Sequence, residues 1–329
     1  MYDYKEILMA AERLKGVIQE TPLFESAELN KRAKAKILIK PENLQRTGSF
    51  KIRGAYNLMS QLSDAEASRG VVAFSSGNHA QGVALAGSLL GIETIIVIPE
   101  DAPKAKIENT KKLGGNVILY NRYKEDREAI AKNIALEKNS TLVPSYDHKD
   151  IIIGQGTMGL EIVQQCKKKN MNLDQVLICC GGGGLSAGSS LAIKGFLPRA
   201  AIYLVEPQYF NDTQESFKAR MRVKNNTHEK SICDALLAET PGELTFAINK
   251  ELATNILTVS DAQVKDAMRF AFLHFKMVVE PGGAVALAAI LHNKIELEGK
   301  VTAIVLSGGN VDRELFAEIQ GSGSYLFFN

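Results

Sequence analysis

Short β-branched runs alternate along this chain with longer segments of helical periodicity, and this rhythm is the feature that most constrains the fold. Each run is apolar along almost its whole length, which is typical of parallel strands covered by helices on both faces. The runs are KILIK (36–40), VVAFS (71–75), TIIVI (94–98), NVILY (116–120), TLVP (141–144), QVLICC (175–180), AIYLVE (201–206) and TAIVLS (302–307). The sequence therefore predicts an α/β protein with open, mainly parallel sheets and helices on both faces.

The length of the chain bears on the number of domains, and its charge bears on the class of partner. A chain of 329 residues suggests about two domains. Its 39 basic and 37 acidic residues leave a net charge of only +2, and the basic residues are dispersed along the chain. A nucleic-acid site needs a basic patch, so we expect no nucleic-acid partner.

Two apolar segments bear on localisation. The first residues, MYDYKEILMAAERL, combine acidic residues with apolar residues at helical spacing, which indicates a folded helix and not a targeting peptide. The longest apolar run, residues 82–98, contains three glycines and Glu93, so it predicts a helix followed by a strand and no membrane span. We therefore expect a cytoplasmic protein without membrane association.

The four cysteines show no metal-binding spacing. Cys179 and Cys180 lie within an apolar run, and Cys166 and Cys233 stand alone. We predict that all four are small buried hydrophobic residues.

The domain boundaries are marked only by two charge-rich stretches, because the chain has no linker rich in proline or serine. These stretches are residues 60–70 and 144–150. They predict a small α/β domain, residues 65–142, inserted into a large domain made of residues 1–64 and 143–329.

Three predicted strands run into turns rich in small residues. SSGNHAQG follows VVAF, GGGGLSAG follows VLICC, and SGGN follows AIVL. In open α/β sheets ligands bind beyond the carboxyl ends of strands, so these turns can converge on one cleft.

The tetraglycine turn, residues 181–184, predicts an anion site. Without Cβ atoms its backbone N–H groups can turn inward, and the positive end of the following helix suits a phosphate. Gly182, Gly184 and Ala187 also fit the dinucleotide pattern G-x-G-x-x-A. Glu206, at the end of the next strand, is placed to bind a ribose, so an NAD-dependent oxidoreductase is an alternative. A tight turn with close helix packing is another.

An oxidoreductase leaves two segments without a role, TGSFKIRGA (47–55) and SGGN (307–310). A cofactor with a phosphate, an aromatic ring and an aldehyde would use all three segments. Pyridoxal 5′-phosphate (PLP) needs an anion cradle, a lysine for a Schiff base and a partner for its pyridine nitrogen. The tetraglycine turn, Lys51 and Ser307 can supply these groups.

The motifs TGSFKIRGA, SSGNHAQG, GQGT (154–157), GGGGLSAG and LSGGN occur in an order and spacing that closely resembles serine/threonine dehydratases and serine racemases. Those proteins are two-lobed PLP enzymes of fold type II, also described as tryptophan-synthase β-like. The resemblance covers nearly the whole chain. It implies an active site between two lobes and a homodimer.

The resemblance implies a role for each residue around PLP. Lys51 forms the Schiff base, and Phe50 packs against the pyridine ring. Asn78 hydrogen-bonds the ring hydroxyl oxygen, and Ser307 meets the pyridine nitrogen. The phosphate is held by Gly181, Gly182, Gly183, Gly184 and Leu185. Because a serine does not force the pyridine nitrogen to be protonated, the resemblance favours β-elimination.

The substrate is expected at the segment that follows VVAF. Ser75, Ser76, Asn78 and His79 lie where a helix begins, and its free N–H groups suit an α-carboxylate. The resemblance implies a positioning role for His79 and removal of the α-proton by Lys51, whose pKa burial should lower. The predicted activity is that of an L-serine or L-threonine ammonia-lyase, which gives a 2-oxo acid and ammonia.

Ser76 bears on the choice between two activities. Racemases of this resemblance carry a serine here that protonates the α-carbon from the face opposite the lysine, whereas dehydratases often carry alanine. A serine racemase with dehydratase side activity is therefore the main alternative. Some dehydratases also carry serine, and there Ser76 would only help to bind the carboxylate.

The resemblance also implies a divalent cation site. Relatives often bind a cation through a glutamate at this strand end, a backbone carbonyl four residues on and an aspartate two residues further. Glu206, Phe210 and Asp212 have this spacing. Oxygen ligands completed by water suit Mg²⁺ or Ca²⁺, and a solvated loop with scattered acidic residues is the alternative.

Two segments depart from the family pattern. Residues 233–235 read Cys-Asp-Ala where relatives read A-D-G, and the methyl group of Ala235 is expected to narrow the space for a substrate side chain. Residues 280–284 read EPGGA, although Glu280 stays where it can line the cofactor pocket. Only 19 residues follow Asn310, so we expect no C-terminal regulatory domain of the kind that biosynthetic threonine deaminases carry.

Overall fold

The computed structural model describes residues 3–102, 104–225 and 227–322, and its strands form two sheets. The strands are β1 (Phe24–Glu25), β2 (Lys36–Pro41), β3 (Val71–Phe74), β4 (Thr94–Pro99), β5 (Asn116–Tyr120), β6 (Thr141–Leu142), β7 (Gln175–Cys179), β8 (Ala201–Pro207), β9 (Asn255–Val259) and β10 (Val301–Leu306). The larger sheet has the order β1-β2-β10-β7-β8-β9, and the smaller sheet has the order β5-β4-β3-β6. Among these strands only β1 and β2 pair antiparallel. The predicted α/β class with mainly parallel sheets is confirmed.

All eight predicted runs form strands, whereas the two edge strands of the larger sheet, β1 and β9, were not predicted from the sequence. β1 has only two residues, and β9 mixes apolar residues with Asn255 and Thr258. Each lies at one end of the larger sheet and pairs with a single neighbour. An edge strand buries less of its surface than a central one, so its sequence carries a weaker apolar signal.

Helices connect these strands and cover the sheets. They are α1 (Tyr4–Leu14), α2 (Ala27–Ala33), α3 (Lys51–Met59), α4 (Asp64–Ser68), α5 (Asn78–Leu90), α6 (Lys104–Lys112), α7 (Arg127–Lys138), α8 (Lys149–Lys168), α9 (Gly184–Phe196), α10 (Asp212–Ala219), α11 (Glu243–Leu252), α12 (Asp261–Phe270), α13 (Pro281–Leu291) and α14 (Arg313–Gly321). The predicted first helix is present, with Asp3 as its N-cap and Ile7 and Leu14 buried, whereas Leu8 is exposed. Within the described ranges, no helix has the length and apolar character that a membrane span requires.

All four cysteines are buried, as predicted. Burial raises the pKa of Cys166 and of Cys179 to about 11, and it raises the pKa of Cys180 and Cys233 as well. Their thiols therefore stay protonated at neutral pH and pack as small apolar side chains.

Two helices begin where central strands end, and a third helix packs beside one of them. α5 follows β3 in the smaller sheet, and α9 follows β7 in the larger sheet. α3 packs against both α5 and α8, and its Ile52 and Leu58 share an apolar cluster with Ile96 of β4. Because α3 precedes residue 65 yet packs with the smaller sheet, the domain limits drawn from the sequence stay a prediction.

A buried ionic network anchors the first turn of α3. Arg53 Nε and Nη2 donate to the two carboxylate oxygens of Glu42 at 2.7 and 2.8 Å. Arg53 Nη1 and Nη2 donate to Glu161 of α8 at 2.6 and 2.9 Å, and Nη1 also donates to Thr157 at 3.1 Å. Lys40 of β2 donates to the same Glu161. Two cations thus balance two carboxylates and tie the end of β2 and α8 to the helix that begins at Lys51.

Replacing Arg53 by alanine is expected to destabilise the protein strongly, because Glu42 and Glu161 stay buried without their main partner. Removing one partner of a buried ion pair costs about 3–5 kcal/mol. The urea midpoint, followed by circular dichroism, should fall well below that of the wild type. Lys132→Ala is the control, because it removes only an exposed pair with Glu128 and should leave the midpoint nearly unchanged. Equal midpoints for the two variants would contradict a stabilising role for the network.

Candidate active site

Lys51 is the first residue of α3, and its amine points toward a backbone carbonyl and an aromatic ring. Nζ donates a hydrogen bond to the Ser145 carbonyl at 2.7 Å and lies 5.3 Å from the centroid of the Phe50 ring. Phe50 donates its backbone N–H to the Ser307 carbonyl at 3.3 Å. The structure therefore brings Ser307 next to the consecutive residues Phe50 and Lys51, although Ser307 lies far from them in the chain.

The Lys51 amine has an unusual charge balance. Burial lowers the pKa of Lys51 to about 8, and the nearby Glu280 carboxyl group opposes this shift only in part. In the described part of the chain, Nζ donates to a neutral carbonyl and not to a carboxylate. A sizeable fraction of the amine is therefore neutral near physiological pH, which makes it a nucleophile for an aldehyde and a base.

The tetraglycine turn between β7 and α9 exposes backbone donors. Gly183 has a φ of +92°, a left-handed conformation that favours glycine, and it caps α9. Thr245 Oγ1 donates to the Gly182 carbonyl at 2.7 Å, and Ser186 Oγ donates to the Gly183 carbonyl at 3.0 Å. The N–H groups of residues 181–185, by contrast, donate to no described acceptor. Free donors at a helix N-terminus form an anion site.

Neighbouring side chains explain why the turn consists of glycine. A Cβ at Gly182 would overlap the ring of Tyr146, and a Cβ at Gly183 would lie 2.9 Å from Thr245 Cβ. Asp147 follows Tyr146 and accepts hydrogen bonds from the backbone N–H groups of the first turn of α11. Residues 145–147 therefore hold both the Lys51 amine and the turn. From the sequence, this segment was predicted only to mark a domain boundary.

Asn78 is the first residue of α5, and its buried side chain lies between Glu280, which precedes α13, and Asn310, which follows β10. Its Nδ2 donates to Glu280 Oε1 at 2.6 Å, and its Oδ1 accepts from Asn310 Nδ2 at 2.7 Å. Glu280 was expected to line the pocket, and the structure shows it against Asn78. The contact with Asn310 was missed, although this residue ends the motif LSGGN that marked the site.

The predicted substrate segment forms the N-terminus of α5. Ser75 Oγ accepts the Gly77 N–H at 3.2 Å, whereas the half-buried Ser76 hydroxyl has no hydrogen-bond partner among the described residues. His79 Nε2 lies 2.9 Å from the Val143 carbonyl, which can only accept, so Nε2 carries the proton. Burial and the Lys51 charge lower the pKa of His79 to about 3. A neutral, hydrogen-bonded imidazole fits the predicted positioning role.

The candidate metal ligands lie between β8 and α10. Glu206 accepts backbone N–H bonds from Thr213 at 3.0 Å and Gln214 at 2.9 Å. Both carboxylate oxygens of Asp212 are buried without a described hydrogen-bond partner. Burial raises the pKa of Asp212 to about 7, and burial with the Asp212 charge raises the pKa of Glu206. These two buried carboxyl groups could bind a hard cation. The backbone carbonyl of Phe210, which lies between them in the sequence, is a further possible oxygen ligand.

The described residues contain no cluster of three His, Cys, Asp or Glu side chains that could hold a metal. A cation at this place would therefore depend on Glu206, Asp212, a backbone carbonyl and water. Glu206 is fully buried and uses both carboxylate oxygens to cap α10, whereas the dinucleotide alternative would need this carboxylate to accept from a ribose.

The two departures from the family pattern contact each other. A Cβ built at Gly282 would lie 3.3 Å from the Ala235 methyl group. Asp234, in the same loop, forms an ion pair with Lys106 of α6 at 3.1 Å, which joins this loop to a helix of the smaller sheet. The narrowing of the substrate space by Ala235 stays a prediction.

The fold and the site together indicate an α/β enzyme with an anion-binding turn and a buried lysine amine. The family model described as pyridoxal-phosphate dependent enzyme matches residues 14–308. L-threo-3-hydroxyaspartate ammonia-lyase from Pseudomonas sp is 44% identical over 316 residues, 96% of this chain and 98% of that protein. Serine racemase from Schizosaccharomyces pombe is 43% identical, over 95% of this chain and 96% of that protein. The solved structure of the T.th. threonine deaminase is 36% identical, with a TM-score of 0.90 over 94% of this chain and 99% of that chain.

This protein belongs to the pyridoxal-phosphate dependent enzyme family. Its homologues are ammonia-lyases and racemases, so the resemblance inferred from the motifs is confirmed.

The residues of the site fit PLP. The free N–H groups of residues 181–185 match a phosphate, and the Lys51 amine matches an aldehyde. The Phe50 ring, 5.3 Å from that amine, offers an apolar face to a pyridine ring, and the buried Ser307 hydroxyl offers a hydrogen bond. The roles of the individual residues stay predictions.

The rate at which apoprotein captures PLP is expected to depend on pH through Lys51. Only the neutral amine attacks an aldehyde, so below pH 8 the rate should fall about tenfold per pH unit, and above pH 8 it should level off. The appearance of the visible band of bound PLP after stopped-flow mixing measures this rate. Lys51→Ala is the control and should capture no PLP covalently. A rate that climbs until the ordinary lysine pKa of 10.5 would contradict the burial of this amine.

Proposed function

We propose that this protein is a PLP-dependent ammonia-lyase that converts a 3-hydroxy amino acid into a 2-oxo acid and ammonia. The observation that carries the proposal is the Lys51 amine, with its pKa lowered to about 8, beside a turn of free N–H donors and the segment that ends in Ser307. The similarity to an L-threo-3-hydroxyaspartate ammonia-lyase and a threonine deaminase supports the reaction class.

The residues divide the work of an elimination between them. When bound, PLP supplies an electron sink that stabilises negative charge at the substrate α-carbon. The N-terminus of α5 offers N–H groups for the α-carboxylate, and His79 holds that segment through the Val143 carbonyl. Lys51, once its amine is free, removes the α-proton as a base, and the β-hydroxyl group leaves. Ser307 offers the pyridine nitrogen a hydroxyl group, which does not force its protonation.

The substrate is proposed to be L-serine, L-threonine or L-threo-3-hydroxyaspartate, since all three carry the β-hydroxyl group that elimination requires. Each should be assayed separately for release of 2-oxo acid and of ammonia in equal amounts. Lys51→Ala should lower the rate by about 100-fold or more, because it removes a general base and a covalent catalyst. Protein that carries no borohydride-sensitive visible band, or that releases no oxo acid from any of the three, would refute the proposal.

Racemisation is the second candidate activity, and the Ser76 hydroxyl favours it. This hydroxyl group is half-buried and free of any described partner, so it is available to give a proton to the α-carbon. The similarity to a serine racemase supports this candidate.

Ser76→Ala is expected to separate the two activities. Losing a general acid lowers a rate by about 100-fold or more, so formation of the D-isomer should nearly cease. Elimination, which does not use this proton, should stay within about threefold of the wild type. Chiral chromatography and an oxo-acid assay on the same samples measure both rates. If the two rates fall equally, Ser76 binds substrate and does not transfer the proton.

A divalent cation, Mg²⁺ or Ca²⁺, is proposed at Glu206, the Phe210 carbonyl and Asp212. The support is the pair of partnerless Asp212 oxygens beside a second buried carboxylate. Among the described residues, no lysine, arginine or histidine side chain donates a hydrogen bond to either carboxylate oxygen of Asp212.

Adding Mg²⁺ or Ca²⁺ to chelator-treated protein is therefore expected to raise its melting temperature. A ligand at 100 times its dissociation constant stabilises a fold by about 2.7 kcal/mol. Asp212→Asn removes one charge at nearly constant volume and should abolish most of the response. Asp101→Asn, at an exposed ion pair with Arg122, is the control and should respond like the wild type. A response of Asp212→Asn equal to that of the control would place the cation elsewhere.

The homodimer and the cytoplasmic location stay proposals that follow from the resemblance and the sequence. Light scattering coupled to size-exclusion chromatography tests the first. A mass near twice 35.9 kDa is expected.

A further inference from the structure

Three side chains and one backbone carbonyl form a chain of hydrogen bonds beside the proposed cofactor site. Asn310 Nδ2 donates to the Thr47 carbonyl at 2.7 Å and to Asn78 Oδ1 at 2.7 Å. Asn78 Nδ2 then donates to Glu280 Oε1 at 2.6 Å. The chain links the segments before α3, at the start of α5, before α13 and after β10.

The chemistry of the groups fixes the direction of this chain. A backbone carbonyl only accepts, so Thr47 requires the nitrogen of the Asn310 amide at its end. The same nitrogen then requires the oxygen of Asn78, which turns the Asn78 nitrogen toward Glu280. Both Asn310 hydrogens are thereby used, whereas Asn78 keeps one N–H that donates to no described acceptor.

Glu280 is held in place by its burial and by a hydrogen bond of its own backbone. It is 3% exposed, and its backbone N–H donates to the Gly308 carbonyl at 3.0 Å. A Cβ at Gly308 would overlap Glu280 Oε1 and would lie 3.2 Å from Asn78 Nδ2. The glycine after Ser307 therefore creates the space in which the carboxyl group meets the amide.

We propose that Glu280 is a positioning residue, whose carboxyl oxygen holds the Asn78 amide so that its remaining N–H faces the ring oxygen of PLP. The inference rests on the proposed cofactor role of Asn78. Without an acceptor at position 280 the Asn78 amide keeps its contact with Asn310 through Oδ1 but loses the contact that fixes Nδ2. The remaining N–H is then no longer held toward the ring oxygen, and the hydrogen bond to it weakens.

The charge state of Glu280 does not interrupt this function. Burial raises its pKa to about 7, Asp234 adds to the shift, and Asn78, Lys106 and the Asn310 backbone oppose it. Ionised or protonated on Oε2, the side chain keeps an Oε1 that accepts from Asn78. A glutamine at this position offers the same acceptor, so it should replace the glutamate in positioning, whereas alanine should not.

The test compares Glu280→Ala and Glu280→Gln with the wild type, using the absorption spectrum of bound PLP and its dissociation constant. We expect Glu280→Ala to shift the balance between the visible and near-ultraviolet bands and to weaken PLP binding about tenfold. Glu280→Gln should keep the wild-type spectrum and bind within about threefold. Glu298→Ala, at an exposed position, is the matched control and should change neither measurement.

Two results would overturn the inference while the proposed function stands. One is a wild-type spectrum and affinity in Glu280→Ala, and the other is a Glu280→Gln variant as impaired as Glu280→Ala. If Glu280→Ala does not fold, Asn310→Ala decides, because it frees Asn78 Oδ1 and should shift the spectrum in the same direction. An unchanged spectrum of Asn310→Ala then refutes the chain. Wild-type protein without a borohydride-sensitive visible band would instead refute the proposed function itself.

Discussion

The removal of one lysine amine from water is the constraint on which the rest of the site depends. Lys51 meets a neutral carbonyl, and burial lowers its pKa to about 8. Lys106 shows the contrast, because there burial is outweighed by Asp234 and the pKa rises. A carboxylate on Lys51 would have the same effect and would remove the neutral amine that PLP chemistry needs. The protein therefore stabilises the surroundings of Lys51 with ion pairs but leaves its amine outside them.

The ionic network around Arg53 supplies that support. It joins the end of β2 to α8 and fixes the first turn of α3 two residues beyond Lys51. On the other side, residues 145–147 hold the amine through Ser145 and the cofactor turn through Tyr146 and the cap of α11. The same segment therefore positions both the Lys51 amine and the glycine turn. A change in residues 145–147 is expected to displace both of them.

Three buried carboxyl groups near the site have different surroundings and therefore different proposed tasks. Glu280 has one amide partner and orients it. Glu206 has two backbone N–H partners and caps α10, whereas Asp212 has none among the described residues. Burial raises the pKa of all three, but only Asp212 has no hydrogen-bond partner on either carboxylate oxygen among the described residues, which supports placing the proposed cation there.

The sequence by itself determined eight of the ten strands, the order of the glycine-rich turns and the choice of Lys51 as the candidate reactive residue. Apolar β-branched runs and runs of glycine are local patterns, so they predict strands and turns without any knowledge of tertiary contacts. Only the tertiary structure decided that Glu42 and Glu161 enclose Arg53, that Ser145 accepts from Lys51, and that Glu280 meets Asn78 across 202 residues. Charged and amide side chains are usually exposed, so their burial in partnered networks depends on which distant segments meet, and no local pattern records that.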